Sequence, residues 1–153
     1  MPFLPPDFLV PDPPATDEFV LTPLRVDHVV LDFDAVMSSR DRLWQLFGPG
    51  WGWPAADMTL MQDLVDLGWH QKEFQLRRSF NWAVLSPDQR TLLGCCYLDP
   101  TEIAGFDAEA CYWARSDRLA GGLEDRLSSV YRAWVDAAWP FRRVAWPGRD
   151  RPW

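Results

Sequence analysis

An α+β fold is predicted for this chain: a mixed, mainly antiparallel sheet flanked by helices, with elements in the order β-α-α-β-β-β-α-β. Three observations carry that reading. "FNWAVLS" (Phe80 to Ser86) and "TLLGCCYLD" (Thr91 to Asp99) are apolar runs joined by the turn "PDQR", the pattern of a β-hairpin. Leu123, Leu127, Val130, Tyr131, Trp134 and Ala138 recur at helical spacing and make one continuous apolar face. "WPF" then stops that helix before "RRVAW" (Arg142 to Trp146), so the last strand is reached by a helical crossover.

The elements follow in order. Residues 1–17, "MPFLPPDFLVPDPPATD", carry six prolines and no helical or strand period. Proline fixes its backbone angle and donates no hydrogen bond, so this arm is extended and irregular. Phe3, Leu4, Phe8, Leu9 and Val10 are too apolar for a solvated tail, so the arm lies along the domain or against a second subunit. A homodimer is one expected arrangement. Residues 18–153 form a single domain. "EFVLTPLR" (Glu18 to Arg25) is a short strand with Phe19 and Leu21 on one side. Asp27 caps a helix from His28 to Phe47, and "GPGWGWP" (Gly48 to Pro54) breaks it. Asp57 or Thr59 starts a second helix to about Ser79, with Met61, Leu64, Val65, Gly68 and Trp69 as its apolar stripe. After the hairpin, "PTEIAGFD" is a loop and "AEACYWAR" (Ala108 to Arg115) a further strand.

Composition narrows the function classes. The 153 residues are 48% hydrophobic and 24% charged, enough for one sizeable core. A net charge of −7 disfavours nucleic acid and anionic membrane as partners, because both require a cationic surface. Ten tryptophans and nine phenylalanines imply an aromatic core or pocket. Cys95, Cys96 and Cys111 lack metal-ligand spacing, and no secretory leader is recognisable, so reduced thiols and a cytoplasmic location are expected. Cys95 and Cys96 point to opposite sheet faces. With His28 and His70 the only histidines, no metal site is expected.

The stretch "SDRLAGGLEDRL" (Ser116 to Leu127) sets two glycines between a strand and the strongest helix. A helix N-terminus offers unpaired amides and a dipole that favours anions. Glu124 and Asp125 put negative charge in the same turn, which suits a free helix end and opposes a diphosphate. The stretch therefore reads either as a phosphate cradle or as an acid-capped corner.

Taken together, "FVLTPL", "LLGCCYLDP", "DAEACYWAR" and the succession "WAVL…LLGCCYL…YWAR" with "WPF" and "PGR" behind it resemble the GCN5-related N-acetyltransferase (GNAT) superfamily. The likeness is to an uncharacterised acetyltransferase-like subgroup and spans about Glu18 to Arg149. It implies a GNAT-like sheet and acetyl-CoA as co-substrate, with its pyrophosphate on the amides of Arg118, Leu119, Ala120, Gly121, Gly122 and Leu123. It further implies a small-molecule amine as acceptor and a general base near the fourth strand, for which Glu109 is preferred; Tyr112 is a substitute acid. The family usually continues past the fifth strand into a helix that often carries an acidic tyrosine, and no counterpart to that residue is expected after Trp146. Trp51, Trp53 and His70 are the candidate acceptor pocket; His70, Glu73 and Arg77 also share a helix face, where an ordinary Glu–Arg pair beside an imidazole is the alternative. Two other readings stay open: a non-catalytic GNAT-like binding or interaction module, and a subunit whose arm docks a partner.

Overall fold

The computed structural model describes residues 2–153. Strands β1 (Val20–Pro23), β2 (Phe80–Leu85), β3 (Leu92–Asp99), β4 (Ala108–Ala114) and β5 (Val144–Ala145) form one sheet in that spatial order. The first four are antiparallel neighbours, and β5 runs parallel to β4. Helices α1 (Val29–Ser38), α2 (Arg40–Trp51) and α3 (Leu60–Gln75) precede β2, and α4 (Leu123–Ala138) connects β4 to β5. The predicted fold class is the observed one.

Each sheet face buries its own core, because successive strand residues point to opposite sides. Phe80, Trp82, Val84, Ala110 and Tyr112 pack under Leu127, Tyr131 and Val135 of α4. Ala83, Leu85, Cys95, Cys111 and Trp113 pack under Ala35, Val36, Leu43, Phe47 and Leu67 on the side of α1 to α3. Cys95 and Cys96 fall on opposite faces, as alternation requires, and all three cysteines are buried free thiols. The arm lies along the α4 face: Leu4 is buried there, Phe3 stacks on Phe141 and Phe8 sits against Trp139.

The early helices depart from expectation in four ways. The single helix over His28 to Phe47 is two helices that part at Ser39, whose hydroxyl leaves helix geometry to accept the amide of Ser116 at 2.9 Å. Asp27 does not cap; a short 3-10 turn at Val26–His28 precedes α1, and His28 Nδ1 accepts from the Arg25 amide. "GPGW" does not break α2, because Trp51 stacks on Phe47 one turn earlier with ring centroids 4.6 Å apart; Gly52 ends the helix at φ 61°, a left-handed conformation suited to glycine. Finally, α3 starts at a Thr59–Gln62 capping box but stops at Gln75, and Met61, Val65 and Trp69 of its expected stripe face solvent. Its buried residues are Asp63, Leu67 and Glu73. A helix that turns carboxylates inward is shaped by something other than core packing.

Candidate active site

β4 and β5 pair only through Ala108–Val144 and Glu109–Ala145. Beyond that vertex β5 has ended and β4 continues alone, so the two strands part. Two features flank the parting: a cavity on the α1–α3 side, and the free edge of β4 facing the start of α4.

The cavity has a volume of about 1080 Å³ and lies between α3, the end of α2 and the ends of β3 and β4, with Pro2 to Leu4 and Pro6 of the arm on its rim. Trp51, Trp53, Trp69 and Tyr97 supply an aromatic wall, and the His70 ring lies 5.8 Å from that of Tyr97. At the vertex, Asp99 and Glu109 are cross-strand partners. Ser79 donates to Asp99, and Thr101 donates to Glu109 at 2.7 Å. Burial pushes the Asp99 carboxyl up to about 7, against the pull of the Ser79 hydroxyl and with help from the Glu109 charge.

Farther in, Asp32 of α1 meets Asp63 of α3, and the Cys95 thiol donates to Asp32 at 3.5 Å. Burial and then the Asp63 charge raise Asp32 well above the carboxylate range; burial raises Asp63 to about 6. Asp66, beside them, is raised by burial. Burial also lowers His70 to about 4, so its imidazole is neutral at pH 7. Asp63 Oδ2 and His70 Nδ1 are buried and have no hydrogen-bond partner among the described residues. A cavity with carboxyls at both ends and rings between them suits a cation carried on an apolar body.

The free edge of β4 is occupied by the chain itself. The Ala114 amide donates to Glu124 Oε2 at 2.9 Å. Arg149 donates to the Tyr112 carbonyl at 2.7 Å and to Glu124 Oε1 at 2.8 Å, and its guanidinium lies 4.2 Å from the Tyr112 ring centroid. Arg42 closes the same carboxylate from α2. Burial works to raise Glu124, and the two arginines more than offset it, so its carboxyl is held below the usual range. Trp146 packs on the α4 face while Trp153 donates to the Leu46 carbonyl on the α2 side. Residues 146–153 therefore thread the parting from one face of the sheet to the other.

The structure brings Trp51, Trp53, His70 and Glu109 into one cavity wall. It does not bring Tyr112 there. The β3–β4 register runs unbroken from Gly94–Ala114 to Asp99–Glu109, so Tyr112 faces α4, where its hydroxyl accepts from Ser128 at 2.8 Å. A sheet separates it from Glu109, which removes it as partner acid. Glu73 pairs with Lys72 and Arg78 rather than Arg77; Arg77, past the helix end at φ 59°, holds the arm through the Pro5 and Phe8 carbonyls. Of the proposed phosphate amides, those of Arg118, Leu119 and Gly122 donate within the turn. Leu123 is buried and Arg118 exposed, and Gly122 at φ 76° is the corner from which α4 departs. Asp32, Asp63 and Asp99 escaped sequence reasoning. The available signal was their place inside otherwise apolar runs, "VVLDFDAV" and "LMQDLVDL" for the first two and the end of "LLGCCYLD" for the third.

No protein-family model matches the chain, and no curated protein matches it in sequence. Solved structures do match in fold. A ribosomal-protein-S5-alanine acetyltransferase from Vibrio fischeri aligns over 81% of this chain and 67% of its own, at 14% identity and a TM-score of 0.61. An acetyltransferase from Salmonella typhimurium that modifies the N-terminal serine of the 50S subunit protein L7/L12 aligns over 86% and 71%, at 13% identity and 0.64. An acetyltransferase from Thermus thermophilus aligns over 79% and 71%, at 17% identity and 0.58. The chain has the fold of the GNAT acetyltransferases.

Proposed function

We propose that the chain is an acyl-CoA-dependent N-acetyltransferase acting on a small-molecule amine. The observation that carries this reading is the placement of Glu109 and Asp99 at the β4–β5 vertex, opening into a cavity with acid ends and an aromatic wall. The amine enters as an ammonium attracted by the carboxylates and held by the rings. Glu109 takes its proton, the free amine nitrogen attacks the thioester carbonyl, the new C–N bond forms as the C–S bond breaks, and the nitrogen's second proton goes to the departing thiolate to give the free thiol and the amide. Asp99, with its raised pKa, sits beside Glu109 as a second proton carrier. The acyl arm would pair with the Tyr112 carbonyl and Ala114 amide of β4 and its pyrophosphate would meet the start of α4, so binding requires Arg149 to leave that edge.

The occupied edge favours a second reading: a non-catalytic module that binds a cationic amine in the same cavity. Calorimetric titration with acetyl-CoA, followed by a thiol-release assay over a panel of primary amines, separates the two. Binding with turnover supports the enzyme; no acetyl-CoA binding at millimolar concentration with amine binding retained supports the module. In the first case Glu109→Gln lowers kcat by about 10²–10⁴-fold with KM for acetyl-CoA unchanged, and a variant at full rate removes Glu109 as the base.

A further inference from the structure

The cavity has two acidic poles. Asp32 touches Cys95, and Cys95, Tyr97 and Asp99 line the same face of β3, so the Asp32–Asp63 pair and the Asp99–Glu109 pair lie about 13 Å apart along the strand at about 3.3 Å per residue. Between them the aromatic wall is Tyr97, His70, Trp51 and Trp53, with a neutral His70 imidazole; the cavity's other acids are Asp66, beside the inner pair, and Glu73, which pairs with Lys72 and Arg78. The guanidinium groups on the rim are engaged: Arg77 with the arm carbonyls and Arg78 with Glu73. At the inner pole Asp63 is only 2% exposed and meets the Asp32 carboxyl. A buried carboxylate pair that holds one proton still carries a charge away from water, and a cation supplied by a ligand offsets that cost.

We infer that the cavity takes a ligand with two cationic nitrogens on an apolar spacer, one at Asp99 and Glu109 and the other at Asp32 and Asp63. The inference rests on the reading of the cavity as an amine site. The aromatic wall packs the spacer, and the inner pair, with Asp32 keeping its proton while Asp63 ionises, carries about one negative charge for one ammonium. The double change Asp32→Asn with Asp63→Asn removes the pair's charge whichever carboxyl holds the proton.

The test is calorimetric titration of the full chain, without acyl-CoA, with cadaverine and with pentylamine, which differ by the second nitrogen, and with aminopentanol as a polar control. Cadaverine is expected to bind at least about tenfold tighter than either, a difference of about 1.4 kcal/mol. The double variant brings cadaverine to within about twofold of pentylamine. Equal affinity for the three ligands on the unaltered chain overturns the inference without any variant. So does a cadaverine preference that survives in a folded double variant. Thiol release from acetyl-CoA with pentylamine, without a diamine preference, keeps the acetyltransferase reading and removes this one; a diamine preference with no thiol release does the reverse.

Discussion

Asp99 shows how one buried carboxyl governs both chemistry and stability. Its pKa in the fold is about 7, against an ordinary carboxyl value near 4 in the unfolded chain. Between those values the folded state binds more protons than the unfolded one, so stability falls as pH rises through that window and levels above it. Asp63, at about 6, acts in the same direction. His70, which burial lowers to about 4, and His28, which burial also lowers, act in the opposite sense below the ordinary imidazole value of 6.5. Glu124, held low by its arginines, also opposes the two aspartates below the ordinary glutamate range. Above the imidazole range only the carboxyls among these groups titrate, so the chain is expected to melt at a lower temperature near pH 8 than near pH 6.5, and Asp99→Asn to flatten that difference. A melting temperature that rises from pH 6.5 to pH 8 contradicts the burial assigned to Asp99. Glu109 was foreseeable as a polar residue on a strand whose neighbours are apolar. Asp99 was not, because only packing reveals that the end of β3 is covered.

At the scale of elements, the C-terminal segment crosses the opening between β4 and β5, and under the proposed acyltransferase reading it is a latch there. Arg149 satisfies a carbonyl on the β4 edge and a carboxylate at the start of α4, two groups that the acyl-CoA arm of that reading would approach. Arg149→Ala is expected to raise affinity for acetyl-CoA by about tenfold, since the ligand no longer competes with the chain. The same change costs about 1–3 kcal/mol of stability, because Glu124 and the Tyr112 carbonyl lose a charged donor while Arg42 still holds the carboxylate. Titration calorimetry and denaturant unfolding read the two effects separately, and unchanged affinity in a folded variant removes the latch. Of the two alternatives in the sequence, the corner has Glu124 turned in on the Ala114 amide, while pyrophosphate at the start of α4 stays part of the proposed function. The helix periodicities were legible where a helix covers the sheet, as in α4, and misleading in α3, whose inward face borders a cavity.

Across the whole molecule, the proline-rich arm joins the domain core and the cavity rim. Leu4 is 3% exposed, and Phe3 and Leu4 also line the cavity. Leu4→Ala is expected to lower unfolding free energy by about 2–4 kcal/mol through lost burial and the void left behind. It should also weaken amine binding by loosening the rim. Denaturant unfolding together with amine titration checks this, and a loss under about 0.5 kcal/mol contradicts the arm's place in the core.

The sequence by itself determined the order of the strands, the sheet with its covering helix, and the opposite facing of Cys95 and Cys96. Those features follow from local periodicity and from turn chemistry, which a chain carries in its order of residues; the grouping of Trp51, Trp53 and His70 came from the family resemblance. Only the tertiary structure decided that Asp32, Asp63 and Asp99 share one cavity with Glu109, that Tyr112 stands behind the sheet, and that Arg149 closes the β4 edge. Those facts depend on residues far apart in sequence meeting where water is excluded. There, burial rather than residue type sets charge, protonation and access.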